Sequence, residues 1–314
     1  MALRHAAAAA RAIHLQVAAQ RSGVALDTLR VEDGAFLAPD GREVGSYWSQ
    51  AGDGLLACDA PAEVRPKPPR ARRIAGTSAA RLDLPDKVFG VARFVHDLRL
   101  PGLLHARVIR PPARHAGLLA IAEGALPAGV TLARDGAFLA VVAETEHAAE
   151  RAAERLATRI TWEVQDTLPP DATLGDWLRD EPGEHSIILD RDDPAPPAAQ
   201  TLRASFHRPY VTHASIGTSC AVARWQDGRL EVWTHSQGVY NLRADLGKAL
   251  SMAAEDILVR HREGAGCYGH NGADDVALDA ALAARAVPGR PVRLLWTRAE
   301  ELVWGPMSSA MLVE

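Results

Sequence analysis

Ile257-Leu258-Val259-Arg260-His261-Arg262-Glu263-Gly264-Ala265-Gly266-Cys267-Tyr268-Gly269 is the stretch on which the fold turns. Its opening run of apolar β-formers reads as a strand from Ile257 to Arg262. Glycines at 264, 266 and 269 then give G-x-G-x-x-G spacing, and Asp274 to Val287 has the composition and periodicity of a helix. Pro288-Gly289 ends that helix, and Val292 to Trp296 reads as the next strand. Upstream, Cys220 to Trp225 and Leu230 to Thr234 flank the turn Gln226-Asp227-Gly228 as a β-hairpin, followed by a helix from Gly238 to Leu250. The last third of the chain is therefore α/β in character.

A strand, a glycine loop and a helix also describe a dinucleotide fingerprint, but two features count against that reading. The helix opens with Asp274-Asp275, whose charges complement its dipole and would repel a pyrophosphate. The next strand, Leu294-Leu295-Trp296-Thr297-Arg298, offers no acidic residue for a ribose. What the glycines do provide is close main-chain approach to an anion or oxo group. A tight turn that holds no ligand is the alternative.

Outward from this core, Ala-rich Leu3 to Gln20 reads as a helix capped by Gly23, and three short strands around Asp33-Gly34 and Asp40-Gly41 read as a small meander. Pro61 to Arg73 is a proline- and arginine-rich connection. From Gly76 to about Asp166, strands at Leu103 to Ile109, Phe138 to Val142 and Arg159 to Val164, with a helix from Glu146 to Leu156, indicate a compact α+β domain. Leu168 to Gln200 is punctuated by prolines and acids and reads as a second boundary or surface excursion.

The composition bounds the function. Across 314 residues, 35 Lys and Arg against 39 Asp and Glu give a net charge of -4, which removes a globally basic nucleic-acid binder from the front rank. No run reaches the length of a membrane span. Cys58, Cys220 and Cys267 are too scattered for a disulfide framework, a C-x-x-C zinc site or an iron–sulfur cluster held by this chain alone. Cytoplasmic folding is the default expectation.

Two longer motifs carry more information than the glycine spacing. Thr234-His235-Ser236-Gln237-Gly238-Val239-Tyr240-Asn241-Leu242-Arg243, followed by Glu263 through Asp275, resembles the molybdopterin-binding subunit of the xanthine dehydrogenase and aldehyde oxidase family, with the nicotinate dehydrogenase and isoquinoline 1-oxidoreductase type as the nearest subgroup. Arg81 to Val88 and Val95 to Ala106 resemble the opening of that family's α/β hammerhead domain. The resemblance implies an α+β chain with the hammerhead domain at 77–167, flanked by partial molybdenum-cofactor-binding α/β domains at 1–60 and 201–314. Residues 61–76 and 168–200 are the connections.

The resemblance further implies a molybdenum hydroxylase large subunit. Such a protein hydroxylates an electron-poor carbon of an N-heteroaromatic ring, or an aldehyde, with oxygen from water. Molybdenum would come on molybdopterin, in the cytosine dinucleotide form, with no direct protein ligand to the metal. A small [2Fe–2S] subunit, with a cytochrome c as a further acceptor, would take the electrons. Matched by position, Gln237 lies where the family's glutamine sits beside an oxo group, and Gly266, Cys267, Tyr268 and Gly269 lie where backbone amides approach the metal's oxo ligands and the pterin. Cys267 and Tyr268 depart from the family's usual Phe and Gly, which bears on the contact geometry. His270 and Asn271 fall on the substrate side, or alternatively cap the following helix. Asn271 replaces the Glu that purine-oxidising relatives use, which argues against xanthine.

The family's catalytic glutamate lies in a late Gly-x-Gly-Glu stretch, and none occurs before Glu314. The expectation is a portion of a longer protein with no catalytic residue of its own, and a periplasmic location if a signal precedes Met1. Two further readings stand beside it: a non-catalytic remnant that serves as a subunit-interaction module, and a Rossmann-type NAD(P) oxidoreductase.

Overall fold

The computed structural model describes residues 2–113, 115–122, 124, 126–165, 173–190, 198–269 and 275–314. The chain divides into two compact units, Met1–Leu82 and Asp83–Glu314. In the first, α1 (Ala2–Ser22) is followed by a meander of β1 (Arg30–Glu32), β2 (Ala35–Leu37) and β3 (Glu43–Ser46), all antiparallel. The helix ends where Gly23 turns to a φ of 71°, donating its N–H to Ala19 O at 2.9 Å. Leu15 and Ala18 of α1 bury against Leu29 and Phe36. Buried His14 donates from Nδ1 to Gln50 Oε1 at 2.8 Å, so this small core keeps its one imidazole satisfied.

The second unit is built on a seven-stranded mixed sheet. In chain order its elements are α2 (Leu84–Val88), β4 (Leu104–Ile109), β5 (Gly117–Ile121), β6 (Thr131–Asp135), β7 (Phe138–Ala143), α3 (Glu146–Ala157), β8 (Ile160–Glu163) and α4 (Leu174–Asp180). They continue as β9 (Phe206–Arg208), β10 (Val211–Thr212), β11 (Cys220–Gln226), β12 (Arg229–Thr234), α5 (Val239–Leu250), β13 (Ile257–His261) and α6 (Asp275–Arg285). The chain closes with β14 (Val292–Leu295), α7 (Arg298–Trp304), β15 (Met307–Ser308) and β16 (Met311–Val313). The sheet order is β13-β12-β11-β14-β4-β7-β6. Strands from the middle and last thirds of the sequence are thus joined, through the parallel pairing of β14 with β4.

Alternation along β4 shows why the sheet is buried on both sides. Leu104, Ala106 and Val108 face a core shared with Val292 and Leu294 of β14 and with the small residues Ala277, Ala280, Ala281 and Ala284 of α6. Alanines let that helix lie close to the strands, and Trp225 anchors it by donating its indole N–H to Ala281 O at 2.7 Å. On the other face, Ile109, Leu139 and Val141 pack beneath Ala152 and Leu156 of α3. Each large buried apolar side chain contributes about 1.5–3 kcal/mol relative to exposure.

The hairpin β11–β12 forms around Asp227-Gly228, both at positive φ, as the turn motif predicts. α4 is a helix that the proline- and acid-rich reading of 168–200 did not foresee; its Leu174 is buried. No described helix is long and apolar enough to cross a membrane.

Candidate cofactor site

Strand direction brings the chemistry to one edge of the sheet. β12 and β13 are parallel, β14 and β4 are parallel, and β11 joins the two pairs with antiparallel register on each side. The carboxyl ends of β4, β12, β13 and β14 therefore share an edge, the place where open α/β sheets bind ligands. His235 to Gly238 follow β12 there, and Arg262 to Gly269 follow β13.

The β12 exit is fixed by hydrogen bonds. Ser236, buried, accepts the Gly238 N–H on its Oγ at 3.1 Å, and His261 Nδ1 donates to Ser236 O at 2.8 Å. That turn leaves Gln237 exposed, with its Nε2 donating to Cys267 Sγ at 3.3 Å. His235 turns the other way, and its Nε2 accepts the Cys220 N–H at 3.4 Å. The structure thus places two of the residues read from sequence, Gln237 and Cys267, in direct contact.

The glycine loop is shaped by close approach. A Cβ on Gly264 would lie 2.7 Å from His235 Cβ and 2.9 Å from its Cγ, so only glycine lets the loop pass the imidazole. Gly266, Tyr268 and Gly269 adopt positive φ of 105°, 50° and 100°. Left-handed positions of this kind are what anion-binding backbone turns use to bring main-chain N–H groups to a ligand. Among the described residues, no main-chain carbonyl takes the amides of Gly266, Tyr268 or Gly269. Tyr268, a non-glycine in the left-handed region, is exposed, and its ring lies over the position a Cβ would take on Gly266. Cys267 is half-buried, unlike Cys220, whose thiol burial pushes up to about 12. His270 and Asn271 lie outside the described residues.

Several residues support the site; of these His213 lies in a stretch, Pro209 to Ile216, that also resembles the family, and it reads from sequence as a hydrogen-bonded structural histidine. His213 donates from Nδ1 to Pro306 O at 3.1 Å and has its ring against Gly269. Buried Glu301 accepts the Ser219 N–H at 2.8 Å. Glu263 meets Lys87 Nζ at 3.2 Å and Arg93 at 3.6 Å, and these cations hold its carboxyl below the usual range, Lys87 first. Long-range pairs of this kind have no local spacing to betray them.

A neutral amide donor and a glycine cradle form a donor set suited to metal-oxo and phosphate oxygens, and the carboxylate just before the loop, Glu263, is engaged by two cations. The residues present therefore fit an oxyanionic cofactor. Comparison with known proteins gives that cofactor its class: residues 186–314, which contain both motifs, match the molybdopterin cofactor-binding domain.

Among individual proteins, it is 41% identical, over 99% of its length, to a nicotinate dehydrogenase subunit of Pseudomonas putida, of which it spans 27%. In fold it is similar to the aldehyde oxidoreductase of Desulfovibrio gigas, with a TM-score of 0.62 and 20% identity, covering 82% of this chain and 33% of that one. It is also similar to quinoline 2-oxidoreductase from Pseudomonas putida 86, with a TM-score of 0.57 and 22% identity, covering 72% of this chain and 35% of that one. The α+β architecture expected from sequence is shared with these two oxidoreductases.

Proposed function

We propose that this chain supplies one wall of the cofactor site in a molybdopterin-dependent hydroxylase, with Gln237, Gly266, Cys267, Tyr268 and Gly269 as its cofactor-side residues. The observation that carries the reading is the contact of the Gln237 amide with Cys267 on a loop whose glycines clear the way for a ligand. The cofactor, in its cytosine dinucleotide form, supplies a two-electron oxidation in which oxygen from water is placed on carbon. Gln237, held by the Ser236 turn, would offer an N–H to such a cofactor, and the loop amides would offer theirs. By sequence position alone, His270 and Asn271 are assigned to the substrate side and residues 77–167 to the hammerhead domain.

The substrate class that fits is an N-heteroaromatic ring or an aldehyde. Support comes from the similarity to a nicotinate dehydrogenase subunit and from the neutral Asn271. Electrons then pass to [2Fe–2S] clusters on a partner subunit, since three scattered cysteines do not make a cluster site, and on to a cytochrome c. Metal and pterin analysis of the whole protein, made in a molybdopterin-producing host, tests the reading. Stoichiometric molybdenum is expected, and Gln237→Ala lowers turnover roughly tenfold or more. Bound NAD without molybdenum overturns it.

A further inference from the structure

The residues that lead into the second unit do more than connect. Asp83 to Asp97 grip both loops that frame the site. On one side His96 donates from Nε2 to Thr218 O at 2.8 Å. On the other, Phe94 forms a parallel bridge with Glu263, and Val95 donates its N–H to Glu263 O at 2.8 Å. The two gripped loops also meet each other, since Gly217 N–H reaches Ala265 O at 3.0 Å and a Cβ on Gly217 would lie 2.7 Å from Ala265 Cβ. Three segments thus close a triangle around the start of the glycine loop.

Its charged corner is Glu263, the residue immediately before Gly264. Lys87 Nζ lies 3.2 Å from Glu263 Oε2 and 2.6 Å from Asp83 Oδ2. Arg93 lies 3.6 Å from Glu263 Oε1 and 2.7 Å from Asp86 Oδ2. Asp97 Oδ2 in turn accepts the N–H groups of Arg93 and Phe94 at 3.1 and 3.0 Å, closing the turn on which Arg93 rides. Each cation is therefore oriented by its own aspartate before it meets the shared carboxylate, which reduces the side-chain entropy that makes single exposed ion pairs weak.

We propose that Lys87 and Arg93 clamp Glu263 to set the position of the glycine loop for its cofactor. Both act as positioning residues that do not themselves touch the cofactor. The inference rests on the cofactor reading above and deepens it by naming what holds the loop. Such a clamp adds little to global stability because its members are partly exposed, yet it fixes the backbone one peptide from the close approach at Gly264. Position and stability are therefore separable in experiment.

The three cysteines make that experiment direct. Cys58 is exposed, Cys220 buried and Cys267 half-buried on the loop, so mass spectrometry of iodoacetamide labelling yields the Cys267 to Cys58 rate ratio with Cys220 as a folding control. In the whole protein, Lys87→Met and Arg93→Met are expected to change that ratio roughly threefold or more, and to lower molybdenum content roughly tenfold, the scale for lost supporting contacts. Lys87→Arg restores both. If Cys220 becomes labelled in a methionine variant, Glu263→Gln, which keeps size and removes charge, takes its place.

An unchanged ratio overturns the clamp, and so does a changed ratio with unchanged molybdenum. Wild-type protein that never carries molybdenum counts against the cofactor reading instead, and the labelling ratio then still decides whether the clamp holds the loop.

Discussion

Two charged clusters sit at the same edge of the same sheet, made from the same ingredients and put to different uses. In one, Arg110 follows β4 and lies between the rings of Trp296 and Trp304, 4.7 and 5.1 Å from their centroids. Its guanidinium meets Asp279 at 2.5 Å, and Trp296 donates its indole N–H to the same carboxylate oxygen at 2.9 Å. In the other, Lys87 and Arg93 hold the partly exposed Glu263. Asp279 has an 8% exposed side chain against 36% for Glu263, and that difference decides the consequence. Burial pushes the Asp279 carboxyl up to about 6 despite Arg110, whereas its cations draw the Glu263 carboxyl down. The sealed cluster is a matter of stability, the open one of position.

The largest effect should come from breaking the sealed pair. Asp279→Ala leaves Arg110 between two indoles with no counter-ion, and loss of one partner of a buried pair costs about 3–5 kcal/mol. Urea denaturation checks this through the transition midpoint. A change under 1 kcal/mol would show that water reaches Arg110 and that the contrast between the clusters is not one of burial.

The same carboxylate gives a pH signature. An unfolded aspartate titrates near 4, whereas Asp279 in the fold titrates at about 6. The native state therefore holds the proton more tightly between those values. Stability falls as pH rises from about 4 to about 6 and is flat above, a swing on the order of 3 kcal/mol. Asp279→Asn should flatten that window in thermal melts taken across it. A carboxylate drawn down like Glu263 acts in the opposite sense, contributing stability that is lost as pH falls through its folded value.

Next in size is Gly264→Ala. The added Cβ meets His235 at its Cβ and Cγ, atoms near the backbone that cannot swing aside while Nε2 accepts the Cys220 N–H. Overpacking of this kind costs about 1–3 kcal/mol. Because the strain falls on the cofactor loop, molybdenum content should drop more than thermal stability does. A variant that melts early but loads normally would place the loop's rigidity elsewhere.

How much of this was legible beforehand differs between the clusters and the frame. The hairpin around Asp227-Gly228, α5, α6 and the glycine loop follow from turn chemistry and periodicity, which are local. Gln237 and the loop were read from motifs, and their contact gives that reading a geometry. The strand order was not readable, because β4 lies beside β14 through pairing of Leu104 to Ala106 with Val292 to Leu294 across most of the chain. Arg107 has its partners equally far off: it is buried in β4, with Nη1 donating to Leu295 O at 2.6 Å and Nη2 paired with Glu146 at 2.8 Å. Both clusters depend on such distant partners, so neither could be seen from spacing.

A third cluster, whose carboxylate is intermediate in burial, tests whether exposure alone orders these effects. On the sheet face, Glu231 is paired with Arg224 at 2.7 Å and with Arg260 at 2.5 Å, and the side chains are 17%, 35% and 52% exposed. If burial governs the cost, Arg260→Ala should be nearly silent, within about 0.5 kcal/mol, because the removed charge was well solvated and Glu231 keeps Arg224. Arg224, which also lies 5.8 Å from the centroid of the Trp233 ring, should cost more when replaced. A double-mutant cycle between the two arginines measures the remainder. Coupling near zero makes each pair independent and leaves exposure as the ordering variable. Coupling of 1 kcal/mol or more would mean that two cations sharing one carboxylate behave as a unit, which is the property the Lys87 and Arg93 clamp requires.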